Sequence, residues 1–138
     1  MLSDDCGIYT ADAGGVLVGL SGNVIAGDRA IAVGGHDGNV TAGSYGTAII
    51  AGRSGHAVAG SYGTAIIAGN QGTAIAGNHG IAIVSYGGTA TAGDNGTIVI
   101  SHWDGYRRRV YVGYVGENGL KADVPYCIKN GEFVEVHR

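Results

Sequence analysis

Charge is scarce in this chain: Asp, Glu, Lys and Arg together make up 14% of its residues, against about 25% in an ordinary soluble domain. A single proline stands beside 28 glycines, which excludes both a collagen repeat and a Pro-rich linker. With 45% hydrophobic residues and so few charges, the chain does not have the composition of a disordered protein. The net charge is only −3, so direct contact with nucleic acid or an anionic membrane is not expected. The two cysteines, Cys6 and Cys127, lie near opposite ends and make neither a disulfide framework nor a metal site. No stretch of 18 apolar residues is long enough to cross a bilayer and no apolar leader opens the chain, so a cytoplasmic protein is expected, of a cell or of something replicating in it.

Convergent chemistry is missing as well. The five histidines, His36, His56, His79, His102 and His137, are dispersed, and no nucleophile, base and orienting acid can be assembled around them. No enzymatic activity and no cofactor are expected. GGHDGNV and AGDNGTIV come near a calcium-binding nonapeptide, but successive units do not keep its spacing. The Gly-rich triplets do not lie between a strand and a helix, as a phosphate loop must.

What is abundant is repetition. SYGTAIIAG occurs at 44–52 and again at 61–69, and within it runs a shorter unit, G-x-A-x-A-G-x-x, that can be followed from Gly14 to Trp103. Each unit alternates over about five residues and then reaches a Gly-centred corner, the pattern of a short strand ended by a turn. Glycine every eight residues would cost about 1 kcal/mol each in a helix, with no 3.6-residue period to offset it. Two units make one coil of 16 or 17 residues, so the expected fold is all-β: a two-sheet β-solenoid of parallel strands. Three segments follow, an N-terminal cap at 1–13, solenoid repeats at 14–103 and a C-terminal β cap at 104–138.

The alternation also assigns faces. The third position of each unit is Val16, Val24, Ala32, Val40, Ala48, Ala57, Ala65, Ala74, Ala82, Ala90 or Ile98, while the second carries Asn, Thr or His groups that a thin core cannot satisfy. Alanine therefore faces inward, and the core is thin and intolerant of larger residues. Outside, odd-numbered units display Leu17, Ile31, Val33, Ile49, Ile66, Ile81, Ile83 and Val99 with Thr47, Thr64 and Thr97. This flat aliphatic stripe is larger than monomers usually leave exposed. It is expected to be a homodimer interface formed by Ile31, Val33, Ile49, Ile66, Ile81 and Ile83 across a two-fold axis. The alternative is that the C-terminal segment folds back over it.

Ends and corners supply the remaining candidates. Asp4, Asp5 and Asp12 open the chain and Arg107, Arg108 and Arg109 run together near its end; both groups read as solvated termini or as contacts to a partner. One corner sets Arg29, Tyr45, Tyr62, His79 and Asn95 at intervals of 16 or 17 residues, which predicts a stacked column with a cation–π contact from Arg29. The functional reading of Tyr45, Tyr62 and His79 is a binding ridge. Trp103 is expected as a packing anchor between repeat and cap. In the tail, Asn130-Gly131 is a hairpin signal between alternating strands.

With A-T-A-G-like octads closed by Trp103-Asp104-Gly105 and by Val112 to Gly119 around Tyr114, the chain resembles, over roughly residues 22–136, an uncharacterised phage and bacterial family of octapeptide-repeat β-solenoids with a W-D-G and V-G-Y-V-G-E-N-G cap. The resemblance implies a phage or prophage setting and no reaction. Together with the small size and the lack of catalytic groups, it makes a phage-borne inhibitor of a host protein, such as an anti-CRISPR or other counter-defence factor, the leading expectation. Its partners would be itself and a host defence protein, with Tyr45, Tyr62, His79, Arg107, Arg108 and Arg109 as contacts. A structural module of a phage particle and an ice-binding solenoid are the alternatives; the second draws on the Thr-x-Ile and Thr-x-Thr rows.

Overall fold

A computed structural model describes residues 2–3, 8–11, 16–19, 23–35, 38–52, 54–85 and 87–136, with side chains from residue 23 onward. Its strands are β1 (Leu2–Ser3), β2 (Ile8–Ala11), β3 (Val16–Gly19), β4 (Asn23–Ala26), β5 (Ile31–Gly34), β6 (Asn39–Thr41), β7 (Thr47–Ile50) and β8 (His56–Val58). They continue as β9 (Thr64–Ile67), β10 (Thr73–Ile75), β11 (Ile81–Val84), β12 (Thr89–Thr91), β13 (Thr97–Trp103), β14 (Arg108–Tyr114), β15 (Tyr126–Lys129) and β16 (Glu132–Glu135). Among the described residues there is no helix.

The strands fall into two eight-stranded sheets. Sheet A runs β1-β3-β5-β7-β9-β11-β13-β14 and sheet B runs β16-β15-β12-β10-β8-β6-β4-β2. Successive odd strands up to β13 pair in parallel in one sheet and successive even strands up to β12 in the other, so the chain winds as a two-sheet β-solenoid of about five turns, as the octads predict. The start of the chain joins this winding, since β1 pairs in parallel with β3 and β2 with β4. In β3 the register places Leu17 opposite Ala32 and Val16 opposite Ile31, one residue offset from the alternation read in the sequence. The first unit, with Gly14-Gly15 ahead of it, slips by one, and a slip of one exchanges the two sides of a strand.

Alanine does line the interior. Ala32, Ala48, Ala65 and Ala82 in sheet A, and Ala57, Ala74 and Ala90 in sheet B, have no exposed surface. A second inward row was not anticipated: Ile50, Ile67, Val84 and Ile100 at the ends of the odd strands are also buried. The fifth position of the alternating run lies on the same side of the strand as the third, so these side chains turn inward with the alanines. They fit because glycine faces them, a Cβ on Gly55 coming to 3.0 Å from Ile50 Cγ2 and one on Gly72 to 2.5 Å from Ile67 Cγ2. The core is therefore a wedge, alanine-thin over most of its width and filled by Ile against Gly along one side.

The C-terminal segment closes both sheets at one end and leaves the aliphatic face uncovered. β14 pairs antiparallel with β13 from Thr97↔Tyr114 to Trp103↔Arg108. β15 joins β12 antiparallel through Ala90↔Tyr126, and β15 and β16 form a hairpin around Asn130 and Gly131, whose φ angles of 52° and 78° are those of a type I′ turn. Val115, Leu120, Tyr126 and Ile128 continue the buried core of the solenoid into the C-terminal segment. Gly113 lies flat on it; a Cβ there would stand 2.4 Å from Leu120 Cδ1.

Candidate functional site

The predicted corner column is present. Tyr45 and Tyr62 stack with ring centroids 5.0 Å apart and planes within 4°, Tyr62 and His79 at 4.8 Å and 8°, and the Arg29 guanidinium lies 5.6 Å from the Tyr45 ring centre. Each occupies the third position of a four-residue turn, as in the bond that Gly46 N–H donates to the Gly43 carbonyl at 3.1 Å. That position is left-handed, with φ of 57° at Arg29, 60° at Tyr45 and Tyr62, 58° at His79 and 56° at Asn95. Such turns favour Gly or Asn, and a bulky residue there costs of order 1–2 kcal/mol. The stacking returns some of that cost, and it also occupies the ring faces. What the column offers a partner is a row of ring edges and the two exposed phenols, not a stacking platform.

The corner repeats so tightly that neighbouring coils touch through backbone. Asp28 Oδ1 accepts from Ser44 N–H at 2.9 Å, and Asn78 Oδ1 from Asp94 N–H at 2.9 Å. A Cβ on Gly60 would reach 2.9 Å from Ser44 N and 3.0 Å from the Gly43 carbonyl carbon, and this close approach is why the unit keeps its glycine there.

The arginine run is divided by the β13–β14 turn. Asp104 Oδ1 accepts from Tyr106 and Arg107 N–H, both at 2.8 Å, and Asp104 Oδ2 pairs with Arg109 Nε. Backbone donation from Arg107 and then Tyr106, followed by the Arg109 bond, holds the Asp104 carboxyl at about 2, below its usual 3.8. The same contact raises the pKa of Arg109. Gly105, at φ 103°, completes the turn. The W-D-G residues thus form a hairpin loop, and Arg109 is a structural partner of it. Arg108 donates to Ser101 Oγ at 3.2 Å, and the Arg107 side chain is exposed beside Tyr106, itself 90% exposed. V-G-Y-V-G-E-N-G is likewise a turn: Glu117 N–H donates to the Tyr114 carbonyl and Gly116 N–H to the Leu120 carbonyl, with Gly116, Asn118 and Gly119 all at positive φ.

The outer surface of sheet A is the apolar face expected from the sequence. Half-buried Val33, Ile49, Ile66 and Ile83 stand in register from coil to coil, and beside them runs a mixed row in which exposed Ile31 and Ile81 flank Thr47 and Thr64. Sheet B presents one polar row, Asn39, whose side chain bonds Asn23 at 3.1 Å, with His56 and Thr73, and one mixed row of Ile25, Thr41, Val58 and Ile75. Trp103 is not the anchor that was expected: it is 55% exposed, because β13 runs three residues past the end of β11 and carries it beyond the packed coils. Sequence reasoning also missed Val110, Val112 and Tyr114, which the pairing of β14 brings into line with Ser101, Val99 and Thr97. Their alternation in RRRVYVGYV is visible, but nothing in it says which strand they join.

Among the described residues, no group of three or more His, Cys, Asp and Glu is placed to hold a metal ion. Asp4, Asp5, Asp12, Cys6, His36 and His137 lie outside those residues. Compared with protein-family models, with curated proteins and with solved structures, the chain matches none.

Proposed function

We propose that this chain is a non-catalytic binding protein: a rigid rod that pairs with a second copy through the outer face of sheet A and, as that dimer, docks on a host protein and blocks it. The observation that carries this reading is the flat apolar face. Val33, Ile49, Ile66 and Ile83 stand in register over successive coils, beside a row in which Ile31 (40% exposed) and Ile81 (38%) flank Thr47 and Thr64. Single exposed aliphatics need no explanation, whereas a contiguous patch marks an interface. A phage-borne counter-defence role, such as an anti-CRISPR factor, draws its support from the octad and W-D-G cap resemblance, and a cytoplasmic setting goes with it.

The decisive experiment joins affinity capture from host extract with an infection assay. The expected result is one defence complex retained stoichiometrically and phage protected by the expressed protein. Recovery of no defence complex together with no protection would refute the inhibitory role, and finding the chain in purified virions would replace it with a particle component.

A further inference from the structure

We infer that the β13–β14 ribbon, through Trp103, Val110, Val112 and Tyr114, is the part of the sheet A surface that anchors a second copy of this chain. The inference rests on the self-association proposed above. Three observations lead to it.

The first is area. From β5 to β11 sheet A has four strands, which at ~4.8 Å spacing and two outward residues each make a strip of roughly 20 by 10 Å. A stable pair buries roughly 800 Å² on each partner, so the strip alone falls short. The ribbon widens the surface where it is needed. β13 extends three residues beyond its partner β11, which ends opposite Ile100, so Ser101 to Trp103 and the facing part of β14 reach ~10 Å past the solenoid rim.

The second is exposure. Val110 is 61% exposed, Trp103 55%, Tyr114 53% and Val112 49%, each more than any aliphatic described on the solenoid face from β5 onward. They continue that face without a break, because Tyr114, Val112 and Val110 pair with Thr97, Val99 and Ser101 of its last strand. A two-stranded ribbon gains little stability from its own side chains. An aromatic and aliphatic surface on it finds its burial in a partner, and Trp and Tyr are the types that anchor interfaces.

The third is charge. Among the described residues that face outward on β5 to β14 of sheet A, the only charged side chain is Arg108, held at the ribbon by Ser101 Oγ, and none is a carboxylate. A surface of aliphatics, hydroxyls and aromatics with one cation at its edge can meet a copy of itself at little like-charge cost, whereas an acidic protein or a phosphate backbone would set many charges against hydrocarbon.

Sedimentation velocity across a concentration series tests this on the full chain. The wild type is expected to be a dimer, and Trp103→Ser and Val110→Glu, both at exposed positions, are each expected to raise its Kd at least about tenfold. Ile25→Glu on the outer face of sheet B, where Ile25 is 44% exposed, is the control and should leave the dimer intact. Since Trp103 is the only tryptophan, its emission should shift to the red as the wild type is diluted into monomers. A dimer that Ile66→Glu breaks but Trp103→Ser and Val110→Glu leave alone, with emission constant on dilution, overturns the ribbon and keeps the face. A wild type that stays monomeric overturns both.

Discussion

Left-handed backbone at residues other than glycine separates the two corners of the solenoid. At one corner the strained position is filled by Arg29, Tyr45, Tyr62 and His79, whose side chains meet those of neighbouring coils. At the other it is filled by Ser54 and Gln71, with φ of 63° each and no ring to stack, and by Gly87 in the next coil. Gln71→Gly should therefore raise stability by about 0.5–1 kcal/mol, because the αL penalty goes and no contact of comparable worth is lost. Tyr62→Gly relieves the same strain but removes two ring stacks of about 0.5–1.5 kcal/mol each, so it should lower stability. Chemical denaturation of the two variants checks the pair; a stabilised Tyr62→Gly would mean that the column contributes nothing.

Asp104 gives a pH signature at the same scale. Its folded pKa of about 2 lies below the usual carboxylate value, so its contribution to the β13–β14 turn is complete above about pH 4 and is lost as pH falls toward 2. Trp103 sits beside this turn, and its fluorescence should report loosening over that range. In Asp104→Ala the turn should be loose at neutral pH too, with the acid-dependent step abolished; a step that survives would place its origin elsewhere.

For the single strand, side-chain volume sets what is tolerated. Ala65 lies between two closely packed sheets with no exposed surface, and Ala65→Leu should cost about 1–3 kcal/mol through overpacking. Ile67, two residues on and 1% exposed, fills the wedge against Gly72; Ile67→Ala should cost about 2–5 kcal/mol through a cavity. Thermal melts of the two variants thus test opposite failures, too much volume and too little, in one strand. If Ala65→Leu were neutral, the sheets would have to be further apart than the structure places them.

On the scale of the whole rod, the end matters more than any one coil. Parallel solenoid strands leave unpaired edges at each end, and such edges recruit further chains. Here β14 covers β13, and β15 with β16 covers β12, both antiparallel and so unable to accept another coil in the same register. A chain ending at residue 103 should therefore associate without limit, seen as light scattering that grows with time. Persistence of a monodisperse species would show that the C-terminal segment is not needed as a stop.

The octad by itself determined the architecture: two sheets, parallel strands, alanine inside and branched aliphatics outside, more of them on one sheet than on the other. Those are consequences of period-two alternation and of regularly placed glycine, and both are local. The corner column was legible for the same reason, since residues one coil apart must lie one above the other. Tertiary structure decided what local pattern leaves open. Whether the interior has room for Ile50 and Ile67 depends on glycines across the coil, and the division of Arg107 to Arg109 depends on a turn whose acceptor is Asp104. The placement of Val110, Val112 and Tyr114 on the aliphatic face depends on which strand β14 joins. Pairing between distant strands is a property of the assembled sheets, so this extension of the apolar face emerges only once the chain is wound.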